Sequence, residues 1–159
     1  VTLLPLLHQR VASYPNALAE GGVNFWDAFR VIPVSDHFWH DGVRLEVFPV
    51  RHHWPDTAFG VRLRGSLVWT GDTRPIPEML AKFADADELI AHDCALEGNP
   101  SHSGIDDLER EYPRALLARC LLYHYASAED GEALRARGHR VGDPGEIVPL
   151  RPPAGATPH

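Results

Sequence analysis

The chain has 159 residues, 44% of them hydrophobic, enough for one globular core and too few for two full domains. A formal net charge of −7, with no long run of Lys or Arg, excludes a basic groove for a long nucleic-acid backbone but leaves a small phosphate ester open as a ligand. The two cysteines, Cys94 and Cys120, each sit inside an apolar segment, which excludes a disulfide framework and fits a reducing, cytoplasmic setting.

In chain order, the apolar stretch over residues 1–7 is too short to span a membrane. Val31 to Val34 and the alternating run Val43 to Val50 are predicted to pair as a hairpin across Asp41-Gly42. A second hairpin is predicted from Phe59 to Leu63 and Ser66 to Thr70, turning at Arg64-Gly65. Pro77 to Ala84 carries Met79, Leu80 and Phe83 at helical spacing, and Glu88 to His92 is a buried strand. Gly104 to Ala118 is helical with a break at Pro113. A strand from Ala118 to Tyr123, a helix from Ala128 to Arg137 stopped by Gly138, and a last strand from Ile147 to Leu150 complete the domain. The organisation predicted is a domain over 1–150 and a disordered Pro-, Ala- and Gly-rich tail over 151–159. Hairpins first, then strands alternating with helices, imply sheet layers covered by helices.

Ten histidines are many for this length, and several stand where strands end: His52 and His53, His92, and His124. Between them an apolar strand runs into Gly71-Asp72-Thr73. An aspartate at a strand end with histidines before and after it is the donor set of a metal-dependent hydrolase. Taken singly, each has an ordinary reading: a strand-end histidine satisfied by backbone, an Asp in a turn, a surface Asp–His pair. The four tryptophans, Trp26, Trp39, Trp54 and Trp69, are assigned to core and loop packing, with Trp54 also a candidate wall of a substrate pocket. Asp106, Asp107, Glu109 and Glu111 read as the solvated face of a helix. Arg74 reads either as an anion contact or as a surface ion pair. No Gly-X-Ser-X-Gly elbow is present, which excludes that class of serine hydrolase.

In order, the segments Phe48-Pro49-Val50-Arg51-His52-His53-Trp54-Pro55-Asp56, Thr70-Gly71-Asp72-Thr73, Leu89-Ile90-Ala91-His92-Asp93-Cys94, Ser101-His102-Ser103 and Leu121-Leu122-Tyr123-His124-Tyr125 resemble the later half of a metallo-β-lactamase-fold hydrolase. They are most similar to the branch holding RNase Z and a cyclic phosphodiesterase. The resemblance covers about Phe25 to Leu150. It implies an α/β (α+β four-layer) fold, the later portion of a metallo-β-lactamase-like αββα sandwich.

It also implies roles. His52, three residues before Pro55, would bind the first of two metal ions, with His53 as second choice. Asp72 would bridge the ions, and His124 would be the last ligand of the second. Zn²⁺ is the expected metal, with manganese or iron also compatible with these donors, and a hydroxide held between the ions would be the nucleophile. His102 would bind the scissile phosphate and transfer a proton, with Asp93 holding its far nitrogen. The expected substrate is a small-molecule or nucleotide phosphoester. The same scaffold also serves acyl (thioester or lactone) substrates, and a non-catalytic binding module is the remaining alternative.

The family's opening His-X-His-X-Asp-His ligand motif is absent. Asp36-His37 and His40-Asp41 are isolated and fall in the first hairpin. On this basis the chain is expected to be the later part of a longer polypeptide; completion of the site by a second chain or homo-oligomer, and loss of catalysis, are the other readings. Specificity is expected in the loops Tyr14 to Phe29 and Leu96 to Ser103.

Overall fold

The structure is a computed structural model and describes residues 3–12 and 25–154. The chain divides into two compact units, Val1–Ser35 and Asp36–His159. The first unit holds the helices α1 (Leu3–Ala12) and α2 (Phe25–Ala28), joined by stacking of His8 on Trp26 with ring centroids 4.5 Å apart. Of the expected specificity loop from Tyr14 to Phe29, the part over 14–24 lies outside the described residues, as do 1–2 of the opening stretch and 155–159 of the tail.

The second unit is one seven-stranded sheet with the strands in sequence order: β1 (His37–His40), β2 (Val43–Pro49), β3 (Phe59–Leu63), β4 (Leu67–Trp69), β5 (Leu89–Asp93), β6 (Cys120–Tyr123) and β7 (Arg140–Val141). β1 to β4 are antiparallel and β4 to β7 parallel. Turn chemistry sets the first half. Asp41 and Gly42 both have positive φ, 46° and 73°, the two-residue turn whose twist matches the strands it joins, and it pairs His40 directly with Val43. Gly65, at φ 77°, makes the β3–β4 turn.

Parallel strands need crossovers, and helices supply them. These are α3 (Pro77–Phe83) between β4 and β5, α4 (Ile105–Glu111) with α5 (Arg114–Leu117) between β5 and β6, and α6 (Ala128–Ala136) between β6 and β7. Pro77 opens α3, a position where its missing N–H costs nothing. Ser127 caps α6 by accepting from the Asp130 N–H at 3.1 Å. Phe48, Val68, Ile90, Leu122 and Val141 from the strands pack with Leu80, Ile105, Leu108 and Leu134 from the helices in one core. No helix among the described residues is long and apolar enough to cross a membrane.

Four expectations are corrected. Val31 to Val34 is irregular, and the first strand is His37–His40, because a two-residue turn pairs the residues that immediately flank it. Ile147 to Leu150 is no strand: the chain leaves α6 at Gly138 and returns at once, so Arg140–Val141 takes the β6 edge and Ile147 is exposed. Residues 151–154 are anchored, the Arg151 carbonyl accepting from Ser66 Oγ at 2.6 Å and the Ala154 N–H donating to the Arg64 carbonyl at 2.6 Å. All four tryptophans are exposed, Trp54 most at 78%, so none is a core residue. Trp69 pairs with Ala91 on the sheet face away from Val68 and its helices.

Candidate metal centre

Ligand positions in open parallel sheets gather beyond the carboxyl ends of the strands, where the chain turns before entering a helix. Here β4 runs into Gly71-Asp72, β5 ends on Asp93, and β6 is followed by His124. Gly71 turns with φ at 63°, which a side chain would strain, and so carries Asp72 over the strand end. His52 comes from the loop after β2, and His102 from the loop before α4. Five residues from separate segments thus meet at one end of the sheet.

Asp93 is the base of the cluster and is fully buried. Its Oδ2 accepts from the Thr73 N–H at 2.8 Å and from His102 Nδ1 at 2.8 Å. Burial pushes the Asp93 carboxyl upward, against the opposing pull of the Thr73 N–H and of His102. Its Oδ1 has no hydrogen-bond partner and lies 3.6 Å from His124 Nδ1. The His102 and His124 rings are stacked, with centroids 4.6 Å apart and planes 10° apart. His124 Nε2 is 3.8 Å from Asp72 Oδ1.

His124 holds φ at 74°, an uncommon and costly conformation for a side-chain-bearing residue, tolerated where surroundings over-determine it. His52 Nδ1 donates to the Ser101 carbonyl at 3.1 Å, leaving Nε2 free, and its ring lies 4.8 Å from that of His102. One donor atom each from His52, Asp72 and His102 lies within 4.8 Å of the others, and the same holds for Asp93, His102 and His124. His53 belongs to neither group; its Nδ1 is hydrogen-bonded to Ser101 Oγ at 2.9 Å.

Arg74 is engaged by its own loop contacts, although it also lines the cleft beside His52. Its Nη1 donates to the Asn99 and His102 carbonyls at 3.1 and 2.9 Å and pairs with Asp107 at 2.5 Å, so it braces the loop that carries His102. This bond set holds the Asp107 carboxyl down at about 2. Gly98 and Gly104 close the same loop: a Cβ at Gly104 would fall on the Gly98 backbone nitrogen. A cleft of about 330 Å³ opens beside His52, walled by His53, Trp54, Met79 and Pro100.

Sequence reading missed Thr73, whose N–H holds Asp93 and whose Oγ1 accepts from the Arg51 N–H at 3.0 Å. It also left unassigned the buried pair under the site. Tyr112 accepts from the Ile76 N–H at 2.8 Å and donates to His92 Nε2 at 2.7 Å, and His92 Nδ1 donates to the Asp93 carbonyl at 2.7 Å. Burial lowers the His92 imidazole to about 4 and keeps it neutral. A buried Thr directly after Gly-Asp was the one available signal for Thr73; nothing local in the sequence pairs His92 with Tyr112.

Residues 6–141 match the family model described as anti-Pycsar protein Apyc1. The chain belongs to the Apyc1 family. A ribonuclease Z of Picrophilus torridus is 32% identical in an 84-residue alignment that covers 45% of this chain and 25% of that protein. A crystal structure described as a new diphosphatase from the PhnP family superposes with a TM-score of 0.56 at 16% identity, over 67% of this chain and 43% of that one. This member of the Apyc1 family therefore spans a quarter of the length of the ribonuclease and less than half of the diphosphatase. The superposition shows the fold: mixed α/β of metallo-β-lactamase type, as the family resemblance implies.

Imidazole nitrogens and carboxylate oxygens at this spacing are a donor set for zinc and similar divalent ions. The stranded Asp93 oxygen beneath them fits a carboxylate that supports histidine ligands from behind. The residues present fit the group.

Proposed function

We propose that this protein is a metal-dependent hydrolase that cleaves a phosphodiester bond in a small molecule or nucleotide. His52, Asp72 and His124 would hold the metal, zinc in the first instance and two ions in a complete site, with manganese or iron as substitutes. When bound, such ions supply Lewis-acid polarisation of a phosphoryl oxygen. His102, with Nδ1 on Asp93, turns Nε2 to the cluster and, charged by a second proton there, passes that proton to the ester oxygen as water adds to phosphorus and the P–O bond breaks. Asp93 stabilises the charged imidazole at that moment and fixes its orientation.

The observation that carries this reading is the convergence of His52, Asp72, His102 and His124 over one buried carboxylate. The names of the ribonuclease Z and diphosphatase relatives point to phosphoester chemistry as well. Both cysteines are free and buried, which supports a reducing, cytoplasmic setting. Where ligands are short, a second copy or another part of the polypeptide would complete the site.

The test is metal content by plasma mass spectrometry on the complete polypeptide, together with hydrolysis of bis(p-nitrophenyl) phosphate and of an acyl ester. Asp72→Ala should abolish phosphodiester turnover and reduce bound metal. His102→Ala should lower phosphodiester turnover by about 10²–10⁴. Undiminished turnover in Asp72→Ala overturns the metal reading; an acyl substrate preferred and insensitive to His102→Ala overturns the phosphodiester assignment.

A further inference from the structure

The two parallel imidazoles stand on the two oxygens of one carboxylate. His102 Nδ1 faces Asp93 Oδ2 at 2.8 Å, and His124 Nδ1 faces Oδ1 at 3.6 Å. The first is a hydrogen bond; the second is longer than one. Yet Oδ1 is buried and has no other partner, a costly condition for a buried acceptor. His124, whose Nδ1 faces this oxygen, holds a strained backbone conformation, and its ring lies parallel to that of His102. Shortening that 3.6 Å separation to a hydrogen bond would satisfy the oxygen.

We infer that Asp93 is a positioning residue for both histidines, locking His102 and His124 as Nδ1–H tautomers so that each turns Nε2 toward Asp72. One buried carboxylate then couples the expected acid–base group to the expected last metal ligand. Free imidazole places its proton on either nitrogen, and a metal ligand needs the facing nitrogen unprotonated. The pairing with His102 belongs to the function proposed above. The coupling to His124 is new, and its metal arm rests on that proposal.

Asp93→Asn makes the test specific. The Thr73 N–H requires an acceptor, so the amide oxygen takes the Oδ2 position and the NH₂ group takes Oδ1, facing His124 Nδ1. An NH₂ there donates, so His124 must become the Nε2–H tautomer, while His102 keeps its proton on Nδ1. Long-range ¹H–¹⁵N correlation spectra of ¹⁵N-histidine protein, metal-free at pH 8, read this directly. The wild type is expected to show Nδ1–H at His52, His102 and His124. The variant should change His124 alone, with the buried His92 signals reporting an intact fold. Zinc affinity, measured by competition with a chromophoric chelator, should fall about 10- to 100-fold in Asp93→Asn.

A wild-type His124 protonated at Nε2 overturns the inference, and so does an Asp93→Asn spectrum in which His124 is unchanged. If the variant does not fold, the wild-type spectrum alone decides. Tautomers as expected with no hydrolysis would remove the hydrolase reading and leave this one standing.

Discussion

His92 should make this fold lose stability between neutral pH and pH 4, before most carboxylates protonate. The imidazole is fully buried, donates from Nδ1 to the Asp93 carbonyl and accepts at Nε2 from Tyr112, so the folded state has no place for a second ring proton. Burial lowers it from 6.5 to about 4. Between those values the unfolded chain holds a proton that the folded chain does not. Stability therefore falls as pH falls, is fully present above about 6.5, and has lost this contribution by about 4. A depression of that size is worth about 3 kcal/mol, a large fraction of the stability of a small domain. Other groups titrate over the same range: Asp93, raised by burial, acts in the opposite sense, and Asp107, held at about 2, acts only at lower pH. The comparison must therefore be with a variant lacking only the His92 titration. His92→Gln keeps an amide that can both donate and accept. Urea unfolding followed by circular dichroism at pH 7.5, 5.5 and 4.0 should show the wild type losing about 3 kcal/mol more than the variant across the range. Equal pH slopes in the two proteins would refute the reasoning, whatever the variant's absolute stability.

Two further outcomes follow from packing. Arg62 is buried against a fully buried Glu88, bonded through Nε at 3.0 and 3.1 Å and Nη2 at 2.7 Å, so Arg62→Met should cost about 3–5 kcal/mol in urea unfolding, because it leaves the buried Glu88 charge without its counter-ion, held only by the Gly65 and Asp85 N–H groups. Arg62→Met with Glu88→Gln should recover part of that loss; a single-variant cost under about 1 kcal/mol would contradict the account. Gly104→Ala, which drives a methyl into the Gly98 backbone, should destabilise by about 1–3 kcal/mol and disturb the His102 loop. A thermal midpoint equal to wild type would show that the loop gives way instead.

How much of the site could be read from the chain depended on whether the information was local. His52, Asp72, Asp93, His102 and His124 each follow an apolar strand or stand in a Gly- or Pro-marked loop, and strand ends of a parallel sheet face one way. Residue types at strand ends nominated His52, Asp72 and His124, whereas Asp93 and His102 were named through the family resemblance. The choice between His52 and His53 was not local: adjacent residues point differently, and only the fold places His52 beside Asp72 and His102. Arg74 read equally well as an anion contact or an ion pair, until the crossover to α4 brought Asp107 and two carbonyls against it.

By itself the sequence determined the alternation of strands and helices, the hairpin turn at Asp41-Gly42, the crossover helices and the chemistry-bearing residue types, since these depend on side-chain periodicity and on residues with restricted backbones. Tertiary structure decided the rest. It set which four-residue stretch forms the first strand, that Arg140–Val141 rather than Ile147 to Leu150 closes the sheet, and that residues 151–154 are anchored. It also decided that Asp93 lies buried under two parallel imidazoles, with one oxygen bonded and the other 3.6 Å from His124 Nδ1. Such relations join residues far apart along the chain, and their energies come from burial and from the geometry of neighbouring strand ends, neither of which any short segment encodes.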